Sequence, residues 1–265
     1  YTLPSVCARV LEAGTADIGI IPAAAYTQIP GLKILPGVAI ASLRPVRSIL
    51  LVSKVPVGEI RTIALDTSSM TSVALTKILF EKWLGGGKTF TSMPPEVDRM
   101  LAAHDAGLLI GDPALQIDRS RYFTLDLAEE WIRHTGKPFV FAFWAVRQGS
   151  LQEAALCGDS HPSLSASRSD APMPDLSAIF QQSRNHGLEP ASLDHIAGEW
   201  APRLRLTEAE VLSYLTENIY YQLDAACLAG LRLFYRYAAE IGALPTAPEL
   251  QFLVPPKPRM AQSIA

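Results

Sequence analysis

The sequence contains little charge and few cysteines. Only 18% of the 265 residues are charged, and 23 Lys and Arg against 26 Asp and Glu give a net charge of −3. Because phosphate binding requires a concentrated basic face, this balance argues against nucleic acid as the main partner. The three cysteines, Cys7, Cys157 and Cys227, lie far apart and show no spacing typical of a zinc site or a disulfide framework. We therefore predict no metal and no cofactor.

Other absences narrow the class of protein further. No run of about 18 apolar residues occurs, which argues against a membrane-spanning helix and a membrane partner. No secretory signal is visible, so we expect a cytoplasmic protein, and because the chain starts at Tyr1 we expect its natural beginning to be missing. No Gly-x-Ser-x-Gly elbow occurs, and the histidines form no pair with metal-ligand spacing. These histidines are His104, His134, His161, His186 and His195.

Hydrophobic residues make up 49% of the chain, enough for a sizeable core, and the length suggests about two domains. Residues 61–110 alternate between strand and helix patterns, which predicts right-handed crossovers and a mostly parallel sheet. The predicted elements are strands 61–65, 88–93 and 106–110 and helices 71–83 and 95–103.

The flanking segments predict further sheet strands and a helical C-terminal part. Short β-branched runs indicate strands at 16–21, 38–43, 47–53 and 139–146. Apolar periodicity indicates helices at 175–186, 207–221 and 224–241. Residues 157–174 have the composition of a surface loop, and the tail from Pro245 predicts an extended strap or a disordered end.

The segment RTIALDTSSMTSVAL, residues 61–75, is the most informative for function. A strand runs into Ser68, Ser69, Thr71 and Ser72, and a helix follows. In open α/β sheets, ligands lie beyond the carboxyl ends of strands, and a helix N-terminus there attracts a carboxylate or phosphate. The alternative is simple N-capping, for which Ser and Thr are preferred in any case.

Two further loops are candidates for the same site. Gly111 and Asp112 follow strand 106–110 and are expected at the same sheet edge, although Gly-Asp-Pro is also an ordinary turn signal. Arg47 and Ser48 lie between two apolar strands, and a guanidinium suits paired recognition of a carboxylate. An exposed loop arginine is the alternative. Together the residues predict an anion-binding cleft without an obvious general base.

Four segments together resemble one family. They are ASLRPVRSILLVSK, IALDTSSMTSVAL, AGLLIGDPAL and DLAEEWIRHTGKPFVFAFWAVR. Their sequence and order are similar to those of the chorismate dehydratases of the futalosine route of menaquinone biosynthesis. The resemblance is close from Pro4 to about Arg147 and looser over the C-terminal helices.

The resemblance implies a two-lobed α/β fold of the type II periplasmic-binding-protein kind, with mixed sheets and C-terminal helices. Lobe one would comprise residues 1–54 and 139–265, and lobe two would be the inserted residues 55–138. The opening strand of the family, with a loop asparagine proposed for its active site, has no counterpart here, so we expect that segment to be missing.

The resemblance also implies an activity. Chorismate would lose water to give 3-[(1-carboxyvinyl)oxy]benzoate, with a carboxylate of the substrate acting as base. Ser48 would be catalytic, and the substrate-binding residues would be Arg47, Ser68, Ser69, Thr71, Ser72, Gly111 and Asp112. Met70 stands where the family commonly has an arginine.

Two other readings stay open. A non-catalytic small-carboxylate binding protein would use the same fold, because fold does not decide function. A related enzyme acting on cyclic dehypoxanthinyl futalosine would be expected to carry a histidine base, and no histidine here lies in a cleft motif.

Overall fold

The computed structural model describes residues 2–150 and 175–254. Its strands are β1 (Ile18–Pro22), β2 (Leu32–Ser42), β3 (Ile49–Ser53), β4 (Thr62–Asp66), β5 (Thr89–Met93), β6 (Ala106–Ile110), β7 (Phe123–Asp126) and β8 (Phe139–Arg147). Its α-helices are α1 (Pro4–Glu12), α2 (Thr71–Leu79), α3 (Val97–Ala103), α4 (Asp112–Leu115), α5 (Leu127–Thr135), α6 (Leu176–Gly187), α7 (Pro190–Leu204), α8 (Glu208–Ser213) and α9 (Ala225–Glu240).

The strands form two sheets. The first has the order β1-β8-β2 and is antiparallel. The second has the order β5-β4-β6-β3-β7 and is mixed. Its three strands from the alternating segment, β4, β5 and β6, run parallel as predicted, whereas β3 and β7 add antiparallel pairs. The chain passes from β2 in the first sheet to β3 in the second through residues 43–48, which we call the crossover segment.

Strand β3 belongs to the second sheet, because it pairs with β6 and β7. The predicted boundary at residue 54 would count this strand with lobe one. Its five residues are all buried, as expected for an inner strand of the larger sheet. The exact division into lobes stays a prediction.

The C-terminal helices differ from the predicted pattern in two places. The predicted helix 207–221 is interrupted: α8 gives way to a π-helical turn, Tyr214–Asn218, which we call the π turn. Helix α7 was not predicted, because two of its three buried residues are alanines and it carries Pro202 in its interior. Strand β7 was also missed, since a four-residue strand leaves little period-2 signal.

The core fills the space between the sheets and helices α2, α5 and α9. Leu75 and Leu79, on the predicted inner face of α2, are completely buried. Trp131 and Phe139 pack edge to face, and the indole Nε1 of Trp131 donates a hydrogen bond to the Pro138 carbonyl. The core therefore includes residues from both predicted lobes.

The tail from Pro245 is extended as far as the description reaches. The amide of Ile34 donates to the carbonyl of Gln251 at 2.7 Å, and the amide of Leu253 donates to Ile34 at 2.8 Å. This portion is a strap along β2, whereas residues 255–265 and the predicted loop 157–174 lie outside the described residues. Across residues 2–150 and 175–254, no helix has both the length and the apolar character needed to cross a membrane.

Candidate functional site

The predicted site residues lie along one edge of the second sheet. Strands β4 and β6 are parallel and end at this edge, and Ile49 at the start of β3 pairs with Ile110 at the end of β6. Because strands are spaced about 4.8 Å apart, the ends of β4 and β3 are separated by about 10 Å. We call this edge the polar edge; it comprises Arg47, Ser48, Ser68, Ser69, Thr71, Ser72, Gly111 and Asp112.

The loop after β4 is organised by Asp66. This carboxylate is buried, and its Oδ1 accepts hydrogen bonds from the amide of Ser68 at 2.7 Å and from its hydroxyl at 2.6 Å. The hydroxyl of Ser68 is therefore engaged within the loop. The second oxygen, Oδ2, is buried and has no partner among the described residues, so it can still accept a hydrogen bond.

Helix α2 begins at Thr71 without a capping side chain. Its N-cap position is Met70, and within the described structure no side chain accepts a hydrogen bond there. The hydroxyls of this segment are thus not explained by N-capping, the alternative raised by the sequence. Ser72 is buried in the first turn, and the helix start presents uncapped N–H groups at the polar edge.

Thr71 joins the two sheets. Its hydroxyl donates to the carbonyl of Phe141 in β8 at 3.0 Å and accepts from the amide of Ala24 at 3.1 Å. Both partners lie in the part of the chain that carries the first sheet. The Thr71 side chain therefore fixes the start of α2 against that sheet.

The crossover segment reaches the polar edge in a strained conformation. Arg47 has a φ of +64°, in the left-handed region that residues other than glycine rarely occupy. Its amide donates to Oδ2 of Asp126 at 2.7 Å, and the amide of Val46 donates to Oδ1 at 3.1 Å. These two bonds hold the backbone that carries Arg47 and Ser48, at the kind of position where functional sites accumulate strain.

Asp126 was not among the residues chosen from the sequence. It is buried at the end of β7 and also caps α5, accepting from the amides of Ala128 and Glu129. Burial raises the pKa of Asp126, and the four backbone N–H donors act in the opposite direction. In the sequence, Asp126 stands directly before the helical pattern LAEEW. This position indicates a helix cap, but it does not indicate a contact with the distant crossover segment.

Ser48 is held from two sides at the β3 end of the polar edge. Its side chain is buried, its carbonyl accepts from the amide of Gly111 at 2.7 Å, and its Oγ accepts from the hydroxyl of Tyr214 at 2.9 Å. Gly111 has a φ of +66° and a ψ of −140°, which only glycine adopts readily. The exposed Asp112 follows at the start of the short helix α4.

Tyr214 is a second residue that the sequence did not reveal. Burial raises the pKa of its phenol, and the carboxylate of Asp112 acts in the same direction. The hydrogen bond with Ser48 and the guanidinium of Arg47 act against this rise in pKa. Both charged residues of the polar edge therefore lie within electrostatic reach of Tyr214. The predicted helix 207–221 contained this tyrosine but gave no reason to connect it with Ser48.

The π turn also holds the crossover segment at its other end. The amide nitrogen Nδ2 of Asn218 donates to the carbonyl of Pro45 at 2.8 Å, and the hydroxyl of Ser42 donates to the carbonyl of Asn218 at 2.9 Å. Tyr214 and Asn218 thus bracket the segment that leads to Ser48.

In residues 2–150 and 175–254 no three His, Cys, Asp or Glu side chains group as metal ligands, and the absence of a metal stays a prediction.

An apolar cavity of about 470 Å³ lies apart from the polar edge. It is bounded by β2, β8, α6 and α7, with Trp144 and Phe180 in edge-to-face contact on its wall. Leu215 and Tyr221 line it as well, but none of the residues of the polar edge does.

Comparison with known proteins identifies the relatives of this chain. A family model described as menaquinone biosynthesis matches residues 1–240. The chorismate dehydratase of Thermus thermophilus is 27% identical over 266 residues, which cover 94% of this chain and 88% of the relative.

Solved structures show the fold. A protein from Archaeoglobus fulgidus has a TM-score of 0.60 at 18% identity, covering 92% of this chain and 86% of its own. The periplasmic aliphatic sulphonate binding protein SsuA of Escherichia coli has a TM-score of 0.61 at 13% identity, covering 97% and 81%. The predicted periplasmic-binding-protein-like α/β fold with mixed sheets and C-terminal helices is confirmed.

Proposed function

Because the chain belongs to the menaquinone-biosynthesis family, we propose that it is a chorismate dehydratase, a hydro-lyase that forms 3-[(1-carboxyvinyl)oxy]benzoate and water. One observation carries the proposal: the identity to the Thermus thermophilus enzyme extends over 94% of this chain. A match of that extent includes the loops that form the polar edge, although these loops come from distant parts of the sequence. The site would act on a small molecule, and a cytoplasmic location stays a prediction.

The reaction needs little from the protein beyond positioning. The ring carbon that bears the enolpyruvyl ether loses its proton, and the neighbouring ring carbon loses hydroxide. The electrons of the broken C–H bond form the double bond that makes the ring aromatic, and the proton and hydroxide leave as water. In the proposed mechanism a substrate carboxylate takes the proton, so the protein supplies orientation and charge stabilisation.

The polar edge has two groups of donors suited to the two carboxylates of chorismate. One is the uncapped start of α2 with Ser69 and Ser72, where the helix dipole favours negative charge. The other is Ser48 with the Arg47 guanidinium, about 10 Å away by the strand spacing. The backbone of Gly111 and Asp112 lies between them, since β6 separates β4 from β3.

Two of the predicted substrate-binding side chains have partners in the protein already. The hydroxyl of Ser68 binds Asp66, and that of Thr71 bridges to the first sheet. We therefore propose that Thr71 reaches the substrate through its backbone N–H group, whereas Ser68, whose amide and hydroxyl both bind Asp66, only shapes the loop. The Thr71 hydroxyl shapes the helix start.

The test is turnover of chorismate by the purified chain, with the product separated by chromatography. We expect the wild-type chain to form 3-[(1-carboxyvinyl)oxy]benzoate, and Ser48→Ala to lower kcat/KM by about 100-fold, as removal of one donor from a charge-stabilising site does. Ser92→Ala, an exposed serine on β5, is the matched control and should be unchanged.

One result would contradict the proposed activity, and another would contradict the role of Ser48. Chorismate that stays intact while it raises the Tm of the protein would indicate a small-carboxylate binding protein. Full activity of Ser48→Ala would remove Ser48 from the site while leaving the dehydratase activity in place.

A further inference from the structure

We propose that Tyr214 is a positioning residue for this reaction, acting through Ser48. The inference rests on the proposed function and concerns the same site. Its phenol hydroxyl donates to Ser48 Oγ at 2.9 Å, and the two residues are 166 positions apart in the sequence. This bond connects the C-terminal helical region to the polar edge.

The bond determines what Ser48 can offer a substrate. A serine hydroxyl has one proton to donate and two lone pairs to accept with. When Tyr214 donates to one lone pair, the serine proton is directed away from the tyrosine. Donation by the phenol also polarises the serine O–H, which strengthens the hydrogen bond that Ser48 makes in turn. Ser48 is thereby fixed as a donor, which is what recognition of a carboxylate requires.

The surrounding structure keeps Tyr214 in this role. Ser48 is only 4% exposed, so water has little access to replace the phenol. Burial raises the pKa of Tyr214, and the phenol therefore keeps the proton that it donates at neutral pH. A buried hydroxyl that loses its partner destabilises the protein, which favours an intact pair.

The backbone of the π turn places both of its contacts with the crossover segment. Tyr214 is the first residue of the π turn and Asn218 is the last. Through Asn218 the same turn holds Pro45, three residues before Ser48. Single π-helical turns occur frequently at functional sites. A regular α-helix in this place would change the spacing between Tyr214 and Asn218, and both contacts with the crossover segment depend on that spacing.

The experiment is a double-mutant cycle on Tyr214→Phe and Ser48→Ala, read in the chorismate assay. Phenylalanine keeps the ring and removes only the hydroxyl. We expect Tyr214→Phe to lower kcat about tenfold, the equivalent of one hydrogen bond, with KM changed less than about twofold. In the Ser48→Ala background the same substitution should have no further effect, because its route to the substrate is gone.

The control is Tyr221→Phe, which removes a neighbouring phenol. Among the described residues its hydroxyl makes no hydrogen bond to the polar edge, so turnover should be unchanged. Thermal unfolding of each variant checks that the fold is retained. Unchanged kcat in Tyr214→Phe would overturn the inference, as would an equal loss in both backgrounds, which would indicate a merely structural role.

The outcome for the wild-type chain separates this inference from the proposed function. If wild type forms product, the cycle is read in kcat. If wild type binds chorismate without turnover, the proposed function fails, and the cycle is read in the Kd of chorismate by calorimetry with the same non-additivity expected. Wild type that neither binds nor converts chorismate would overturn both.

Discussion

Single residues that hold the site were the hardest to find from the sequence. Ser48 and Arg47 could be chosen because they stand in a polar interruption between two apolar strands. Asp126 and Tyr214 could not, since their partners in the crossover segment lie 79 and 166 positions away. An Asp before a helix and a Tyr within one are common, and only the three-dimensional structure shows what they contact.

Replacement of Asp126 should destabilise the crossover segment, because two backbone amides of that segment bind its carboxylate. Asp126→Asn keeps one carbonyl oxygen but places an NH₂ group against the amide of Arg47, which now has no acceptor. We expect a loss of about 1–3 kcal/mol in the free energy of unfolding, measured by urea denaturation. Asp118→Asn, an exposed turn residue with a similar local bond to Ser120, should change it by less than about 0.5 kcal/mol. Equal effects would show that Asp126 has no special role.

Helices and strands could be predicted from the sequence where the periodicity of apolar residues was strong. The βαβ alternation over residues 61–110 appears as β4, α2, β5, α3 and β6, with ends that differ by a few residues. The sheet order could not be obtained in this way, because β3 and β7 insert through non-local pairings. The π turn was hidden as well, since its residues continue a helical pattern while the hydrogen bonding changes.

Helix α9 packs so closely on the chain before β8 that a side chain would not fit at Gly230. A Cβ on this residue would overlap the carbonyl oxygen of Pro138. We expect Gly230→Ala to lower the free energy of unfolding by about 1–3 kcal/mol through overpacking.

The matched variant is Gly198→Ala in α7, where the nearest heavy atom to the new Cβ is 3.9 Å away. At this exposed helical position alanine should stabilise by about 0.5–1 kcal/mol through its higher helix propensity. Chemical denaturation of both variants tests the pair. Stabilisation by both substitutions would show that α9 can shift away from Pro138 without cost.

At the scale of the whole molecule, polar contacts at the two ends of α2 connect it to the first sheet and to α9. At its start Thr71 binds the first sheet, and beyond its end Lys82 pairs with Glu240 of α9 at 2.7 Å. The two-lobed plan was predicted by resemblance alone, because composition shows only that the chain is long enough for two domains. The Thr71 hydroxyl and the partly exposed Lys82–Glu240 ion pair are contacts that no pattern in the sequence distinguishes.

Buried acidic protons make the whole molecule sensitive to alkali. Cys227 is fully buried, and burial with the nearby Asp224 carboxylate raises the pKa of its thiol from 9.0 to about 12. Burial also raises the pKa of the Tyr235 phenol. Above pH 9 the unfolded chain releases these protons while the folded chain keeps them, so stability is full below pH 9 and is lost as the pH rises.

We expect the free energy of unfolding to fall between pH 8 and pH 10 by at least about 1.4 kcal/mol from Cys227 alone. Cys227→Ala should show a smaller fall over the same range, whatever its stability at pH 8. Urea denaturation at the two pH values measures the difference. An identical fall in wild type and variant would show that the thiol does not contribute.

The strap along β2 has a consequence for how the molecule behaves among its own copies. The outer side of β2 is covered twice, by Gln251–Leu253 at Ile34 and by Tyr220 and Tyr221 at Ala41 and Ala39. An uncovered strand edge offers a row of free N–H and C=O groups that another chain can extend into a shared sheet. By occupying these groups, the strap and the segment after the π turn prevent self-association through this edge, so loss of the strap would expose part of a template for aggregation.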